Sequence, residues 1–451
     1  MYSRLTFLIV LFALAKFSYS QGTWSYMSTI PSGANITSIT VVDQNTIFVA
    51  AKGNGLYRSL DGGSSWELKN IGLGASGDLY GISAIDSLNC WVGWLGTSGA
   101  PASVYRTTDG GTSWTLQWTL SGTFPDGIKM FSPDYGIVIG DPTGNGQPYQ
   151  FRYTTNGGTT WNLSPTSPIA SNEFGVINAF DFLDTNTIWI GSANTVATGT
   201  TARIYRTTNG INGNWLNTNV SGTPTTQGLF YQAIAFIDKN NGLAGSNGGD
   251  IIKTTNGGLA WSSIAPPDSL PAFSVINMYG FKDGSNVFRM SVGDANGIYY
   301  CFKTSDLGTH WTNEPLPIEG GTTSGIQHMQ FVNGSLGYSG GLNGVFMKFT
   351  APASGIIPDK IIPLNFNLSQ NFPNPFNPST TIKYQVPHNS LVNLKVFNSL
   401  GQEVATLVNG MISTGNYEVQ FNASKLSSGV YFYVLKAGND FIQSRKMLLI
   451  K

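Results

Sequence analysis

Short apolar runs alternate with short polar turns along most of this chain. The runs at 39–42 and 46–49, for example, flank a polar turn at 43–45. Equivalent turns recur seven times in the first 350 residues, at 43–45, 86–89, 133–136, 184–186, 238–241, 283–286 and 333–335. Short runs separated by turn residues are typical of antiparallel strands. The pattern therefore predicts an all-β protein built from repeated hairpins.

A second motif, Ser/Thr-x-Asp/Asn-Gly-Gly-x-x-Trp, interleaves with the first. Its six copies place an acid or amide and then a tryptophan at Asp61 and Trp66, Asp109 and Trp114, Asn156 and Trp161, Asn209 and Trp215, Asn256 and Trp261, and Asp306 and Trp311. The Asp or Asn accepts hydrogen bonds from backbone N–H groups in a tight turn, and glycine supplies positive φ. The tryptophan begins the next strand and buries its ring between sheets. These residues are predicted to be structural.

The two motifs together give four short strands per repeat. A repeat of about 45 to 54 residues matches one blade of a β-propeller. The sequence contains seven polar turns but only six tryptophan motifs. Since the tryptophan begins the outer strand of a repeat, the last repeat lacks that strand. The segment 22–26, which contains Trp24, is predicted to supply that strand and to close the ring. The predicted fold is a seven-bladed β-propeller over 21–350, followed by a small C-terminal β-sandwich over 364–451.

Both ends of the propeller carry further signals. An apolar run at 7–15 followed by Ser18 and Ser20 predicts a signal peptide over 1–20. A proline-containing linker is predicted over 351–363. Since no other stretch approaches about 18 apolar residues, the mature chain is not expected to be an integral membrane protein.

Charge and cysteine content narrow the function. The net charge is zero and charged residues make up only 11% of the chain, with no basic stripe. Nucleic acid is therefore not an expected partner. The two cysteines, Cys90 and Cys301, are interpreted as buried free thiols, with a single bridge as the alternative.

Two family resemblances follow from these motifs. The six tryptophan motifs resemble the Asp-box repeats of bacterial neuraminidases, and the wider pattern over 22–350 resembles the photosystem II assembly-factor family of seven-bladed propellers. Residues 364–451 resemble the C-terminal sorting domain of the type IX secretion system, through LSQNFPNPFNPST at 368–380, VFNSLGQEV at 396–404, LSSGVYFY at 426–433 and KMLLIK at 446–451. This second resemblance implies that 364–451 engages the type IX secretion machinery. It also implies a protein that is secreted or held at the outer-membrane cell surface after passing through the periplasm.

Candidate catalytic residues are acids that do not repeat with the blade. One face of the propeller should carry the loops between second and third strands and the connections between blades, away from the Asp boxes. The non-repeating acids expected there are Asp78, Asp126, Asp141, Glu173, Asp250, Asp294 and Glu319. A glycoside hydrolase needs two carboxyl groups facing one groove, and Asp141, Glu173 and Asp294 are its candidates. A neuraminidase needs three arginines, whereas only Arg203 and Arg289 fall outside the repeat, which argues against that activity.

Candidate binding residues are Trp94, Tyr149 and Tyr231 as stacking surfaces, Arg203, and His328 near the central channel. The three histidines lack the spacing of metal ligands, so neither a metal nor a cofactor is predicted. Three functions stay open. The first is a binding or scaffold module for a surface polysaccharide or protein, and the second is a hydrolase of polysaccharide. The third is an assembly factor, against which the export signals argue.

Overall fold

The computed structural model describes most of the chain from Gly22 onward. The described residues are 22–73, 77–96, 100–170, 172–194, 203–219, 230–267, 270, 272–319, 322–323, 325–351, 366–386, 390–412, 415–437 and 441–451. The predicted signal peptide lies outside them, as does the predicted linker except for Ala351.

Residues 22–351 form seven four-stranded antiparallel sheets within the described part of the chain, and we number these sheets as blades I to VII. Blade I contains β2 (Ile36–Val41), β3 (Ile47–Ala51), β4 (Gly55–Ser59) and β5 (Glu67–Leu68). Blade II contains β6 (Gly77–Ala84), β7 (Cys90–Gly96), β8 (Ala102–Thr107) and β9 (Thr115–Leu120). Blade III contains β10 (Pro125–Met130), β11 (Gly136–Gly140), β12 (Arg152–Thr154) and β13 (Asn162–Leu163). Blade IV contains β14 (Glu173–Phe182), β15 (Ile188–Asn194), β16 (Arg203–Thr207) and β17 (Leu216–Asn219). Blade V contains β18 (Tyr231–Phe236), β19 (Gly242–Ser246), β20 (Ile251–Thr254) and β21 (Ser262–Ile264). Blade VI contains β22 (Phe273–Gly280), β23 (Phe288–Asp294), β24 (Tyr299–Thr304) and β25 (Thr312–Glu314). Blade VII contains β28 (Ile326–Asn333), β29 (Leu336–Gly341), β30 (Val345–Thr350) and β1 (Thr23–Thr29). A hairpin of β26 (Ile318–Glu319) and β27 (Thr322–Thr323) precedes blade VII, and a 3₁₀ turn (Leu342–Gly344) lies between β29 and β30.

The first strand of each blade packs against the first strand of the next blade, all the way around a closed ring. The ring closes through β1, which pairs antiparallel with β30 and sets Trp24 opposite Phe349. The prediction that the N-terminal strand completes the last blade is confirmed. Because the last blade takes its outer strand from the N-terminal end of the propeller, the first and last blades are held together and the ring is closed.

The second strands are buried because each has a blade on both sides. Strand β3, for example, is buried along its whole length. Two tryptophans fill the space between neighbouring blades and donate their indole N–H to turns of the following blade: Trp91 to the Gly157 carbonyl at 3.0 Å and Trp189 to the Gly257 carbonyl at 2.8 Å. Each tryptophan thus buries a large aromatic ring while its indole N–H keeps a hydrogen-bond partner. Cys90 and Cys301 are also buried and are both free thiols.

A buried ion pair lies at the seam between blades VI and VII. The Arg289 Nε and Nη2 atoms donate to the two oxygens of Glu314 at 2.8 and 3.1 Å. The same guanidinium lies 4.0 Å from the ring centre of Phe349 and 4.8 Å from that of Phe331. Arg289 was one of the two arginines outside the repeat, and the structure gives it a packing role at the closing blade.

The C-terminal residues form two facing sheets. One contains β31 (Asn367–Leu368), β32 (Ser379–Val386) and β35 (Gly415–Asn422); the other contains β34 (Glu403–Ile412), β33 (Ser390–Asn398), β36 (Gly429–Ala437) and β37 (Phe441–Leu449). Their facing side chains, such as Ile382 and Tyr384 on one sheet and Leu394 and Tyr433 on the other, share one core. The predicted all-β architecture, a seven-bladed propeller and a small sandwich, is confirmed. Among the described residues, no helix has the length and apolar character needed to cross a membrane.

Candidate functional site

Every first strand of the propeller is interrupted by a bulge near its beginning. In each blade the pairing register between the first and second strands shifts there, which leaves residues without a partner. The bulged residues are Thr37, Gly81, Asp126, 176–179, Gln232, Ile276 and Gln327. A bulge bends its strand and redirects a side chain out of the regular alternation. Seven bulges at one level re-aim side chains around one end of the channel.

A cavity of about 590 Å³ lies at this end of the channel. Six of the seven bulges contribute to its wall, and Lys52, Asp141 and Leu342 contribute from the connections between second and third strands. The cavity is therefore on the face where the first strands begin, which is the face expected to carry function.

The floor of the cavity comes from blade IV. Four residues, 176–179, bulge there opposite a single residue of β15. The turn is possible because Asn178 takes φ of 60°, a conformation that asparagine tolerates better than most residues. Its amide nitrogen then lies 3.3 Å from both the Thr37 carbonyl and His328 Nδ1, on blades I and VII. Contacts to blades on the far side of the ring place this segment across the channel beneath the cavity.

Two carboxyl groups of blade III form part of the wall. Asp126 occupies the bulge in β10, and Asp141 follows β11, beside it. Asp141 accepts a hydrogen bond from the Gly175 N–H at 2.5 Å. Asp126 is only 2% exposed, and its Oδ2 atom has no hydrogen-bond partner among the described residues.

Burial and mutual repulsion shift the acidity of this pair. Burial raises the pKa of Asp141 to about 6, against the opposing effect of the Gly175 N–H. Burial, and then the negative charge of Asp141, raise the pKa of Asp126 well above its usual value. Both carboxyl groups therefore keep a proton to higher pH than an exposed aspartate does. Such a pair can bind a cation or exchange a proton.

The other two candidate catalytic acids do not join this pair. Glu173 is buried, forms an ion pair with Arg203 at 2.9 Å and accepts hydrogen bonds from the hydroxyls of Ser192 and Tyr205. Asp294 accepts the N–H groups of the turn that follows it, including that of Ile298 at 2.8 Å. Glu173 and Arg203 therefore stabilise blade IV, and Asp294 shapes a turn. The side chain of Glu319 lies outside the described residues.

Tyr149 and Tyr231, two of the three predicted stacking residues, are each only 1% exposed. The loop that carries Tyr149 folds back onto the blade, and its ring stacks on Phe151 at 5.3 Å. Trp94 is half-buried, and its indole N–H is bound by the Asn54 side chain at 2.9 Å. The aromatic rings that do line the cavity are Tyr80, Phe124, Phe174 and Phe230.

His328, the remaining binding candidate, does line the cavity. Burial lowers its pKa to about 4, so its imidazole is neutral at pH 7. No group of three or more His, Cys, Asp or Glu within the described part of the chain is placed to hold a metal ion.

The Asp-box residues make their hydrogen bonds inside their own turns. In the second copy, the Asp109 carboxylate accepts from the Ser113 N–H at 2.9 Å and from the Ser113 hydroxyl at 2.6 Å. The equivalent bonds from Ser65 help lower the pKa of Asp61 to about 2. None of the six motifs contributes a residue to the cavity wall.

Sequence reasoning missed the cavity residues that depend on bulges. Asp126 was one of several non-repeating acids, while Asn178 and Gln232 were not singled out. The available signal is a break in the two-residue alternation, strongest in blade IV, where the apolar segment 173–182 is longer than its counterparts.

Comparison with known proteins agrees with this architecture. Residues 17–350 match the family model described as photosynthesis system II assembly factor YCF48, and residues 370–451 match the secretion system C-terminal sorting domain. No curated protein matches the chain. A sorting domain of this kind implies export to the cell surface or the medium.

Solved propellers are similar in fold. A structure titled YCF48 bound to D1 peptide is 17% identical, with a TM-score of 0.56, and the match covers 73% of this chain and 97% of that one. YCF48 from Cyanidioschyzon merolae is 16% identical, with a TM-score of 0.55, covering 73% of this chain and 99% of that one. A GH74 xyloglucanase from Xanthomonas campestris is 13% identical, with a TM-score of 0.56, covering 81% of this chain and 60% of that one. These identities show the fold alone. The chain belongs to the photosynthesis system II assembly factor YCF48 family of propellers and carries a type IX secretion sorting domain at its C-terminal end.

Proposed function

We propose that this protein is an exported binding module that holds a protein or polysaccharide ligand at the mouth of its propeller channel. The observation that carries the proposal is the cavity of about 590 Å³ built by the bulged first strands. Four aromatic rings and several amide side chains line it, which suits a ligand with both apolar and hydrogen-bonding parts. In this proposal a signal peptide over 1–20 and the module over 364–451 direct the propeller through the periplasm to the type IX machinery.

Two observations favour a ligand-binding role over an intracellular assembly role. The sorting domain supports export of the propeller to the cell surface or the medium, where an intracellular assembly role would not apply. A propeller of the same family has been solved with a bound peptide, which supports peptide binding as a use of this fold.

A second candidate is hydrolysis of a polysaccharide, favoured by the Asp126–Asp141 pair. Glycosidases use one protonated carboxyl group as acid and one ionised carboxylate as base or nucleophile. The raised pKa of Asp126 suits the acid role, and Asp141 suits the second role. The xyloglucanase among the similar structures makes xyloglucan the first substrate to test.

The test uses the chain from residue 21 to 451 with a panel of polysaccharides and surface proteins, scored for retention and for release of reducing ends. Gln327→Trp places a large ring in the cavity wall, and Leu116→Trp adds the same ring on an exposed outer strand as a matched control. Retention that is lost only in Gln327→Trp supports binding at the channel mouth. Equal retention by both variants contradicts it.

Release of reducing ends decides the second candidate. New ends that disappear in Asp141→Ala would establish hydrolysis at the carboxyl pair. Retention without new ends leaves the protein as a binding module.

A further inference from the structure

The contents of the cavity wall point to a specific kind of ligand group. Resting on the proposed binding function, we propose that the cavity accepts a lysine or arginine side chain of a partner protein, bound between Asp126 and Asp141. Four features carry this inference: an acid with an unpartnered oxygen, aromatic rings, a segment across the channel, and the lack of a metal-ligand set among the described residues.

The first feature is the isolation of Asp126. Its carboxyl group is buried in the wall, and its Oδ2 atom has no hydrogen-bond partner among the described residues. Buried polar groups are normally hydrogen-bonded, because leaving one without a partner costs free energy. The equivalent bulge residues Thr37 and Gln232 each donate to a carbonyl of the next blade, at Leu79 and Val275. Among the described residues, the Asp126 Oδ2 atom makes no such bond and is free to receive one from a ligand.

The second feature is the arrangement of the rings. Tyr80 and Phe124 pack against each other with 4.7 Å between ring centres and 55° between planes. Phe174 and Phe230 add two further rings to the wall. Such surfaces suit the aliphatic stem of lysine or arginine, and ring faces attract the charged end.

The third feature is the floor. Asn178 contacts blades I and VII from blade IV, so this segment lies across the channel. A side chain that enters from the mouth would meet it at the base of the cavity.

The fourth feature argues against a metal ion. Calcium takes about six to eight oxygen ligands. The pair offers two carboxyl groups, and the described residues contain no group of three or more potential ligands. An organic cation needs only the carboxylates and a surface for its stem.

Binding of a cation should favour loss of protons from the pair. Other ionisable groups on the surrounding elements include Lys52, Asp78, Tyr80, Lys129, Tyr149, Glu173, Asp181, Arg203 and His328. Glu173 and Arg203 pair with each other, and the pKa values of His328 and Tyr80 lie near 4 and 12. Asp141, with a pKa of about 6, changes its charge between pH 5 and 8. Because the cation prefers ionised carboxylates, affinity should rise with pH in this range.

The experiment measures calorimetric binding of three acetylated, amidated peptides, Gly-Gly-X-Gly-Gly with X as lysine, norleucine or glutamate, to the chain from residue 21 to 451. With the pKa of Asp141 at about 6, its ionised fraction alone makes lysine-peptide binding about tenfold tighter at pH 7 than at pH 5. Paired buffers of different ionisation enthalpy should show proton release on binding at pH 6, where Asp141 is about half protonated.

Variants test the residues. Asp126→Asn keeps the shape of the side chain and removes its negative charge, so it should fold and lose most lysine-peptide affinity. Asp184→Asn removes an acid from a turn at the opposite end of the blades, and its amide oxygen can keep the bonds to the following N–H groups. That control should bind like the unmodified protein.

Several outcomes would overturn the inference. They are equal binding of the lysine and norleucine peptides, no binding of any peptide, binding of an amino-sugar oligomer in place of the lysine peptide, or displacement of the peptide by calcium. If Gln327→Trp still abolishes ligand retention in these cases, the channel-mouth function stands and only the cation assignment fails. If Gln327→Trp has no effect on retention, the binding function itself fails.

Discussion

The ion pair of Arg289 and Glu314 is expected to contribute strongly to the stability of the closing seam. The Arg289 and Glu314 side chains are only 4% and 2% exposed, so neither charge has water as an alternative partner. Glu314→Leu leaves the guanidinium buried without a carboxylate, and breaking a buried pair in this way costs about 3–5 kcal/mol. The ring of Phe349, 4.0 Å away, still attracts the cation and offsets about 1–2 kcal/mol. The expected loss is therefore about 3 kcal/mol, or about 150-fold in the unfolding equilibrium.

Tryptophan fluorescence during urea unfolding measures this loss in the propeller alone, because all 11 tryptophans lie between Trp24 and Trp311. The double variant Arg289→Met with Glu314→Leu replaces both charges with apolar groups and should be within about 1–2 kcal/mol of the unmodified protein. A single variant that loses less than about 1 kcal/mol would refute the reasoning. So would a double variant whose loss equals the sum of the two single losses, because the two charges would then act independently.

Other consequences of the structure can be measured separately. Cys90 and Cys301 are buried and free, so a thiol reagent should label neither in the native protein and both after unfolding, whereas a disulfide would leave the unfolded protein unlabelled. Thr154→Val should lower the free energy of unfolding by about 1–3 kcal/mol in urea titrations, since its hydroxyl accepts a buried glycine N–H at 2.7 Å; an unchanged midpoint would count against this. Gly175→Ala should weaken lysine-peptide binding in calorimetry, because the new Cβ would lie 2.1 Å from a carboxylate oxygen of the pair and must displace it. Removal of 366–451 should retain the propeller in the periplasm on cell fractionation, and undiminished export would contradict the sorting role.

The architecture was predictable because it repeats. A turn motif that needs glycine and a carboxylate or amide at fixed positions leaves the same signature in every blade. The mismatch between seven polar turns and six tryptophan motifs located the closing strand, and the pairing of Trp24 with Phe349 confirms that inference. Repetition supplies several independent observations of one local structure, so a single irregular copy does not obscure it.

Exposure of individual side chains was much harder to predict. Tyr149 lies in a connection longer than a hairpin requires, which suggested an exposed ring. The loop instead returns to the sheet, where the Tyr149 N–H bonds to the Pro168 carbonyl and its ring joins the blade core. Glu173 similarly follows a non-repeating segment, but strand pairing brings it to Arg203 across the blade. Such contacts join residues distant in sequence, and the local pattern of polar and apolar residues does not encode them.

The site itself depends on the bulges, which explains why the repeat conceals it. Each bulge occurs at the same level of the ring, yet the bulged residue differs from blade to blade: threonine, glycine, aspartate, glutamine and isoleucine all occur. An unpaired bulge residue contributes little to the pairing of its strand, so stability constrains its identity weakly. Ligand contacts can therefore be set at these positions without altering the blade. In this propeller, one aspartate at a bulge and one enlarged bulge in blade IV convert a symmetric channel mouth into an asymmetric cavity with an acidic wall and a closed floor.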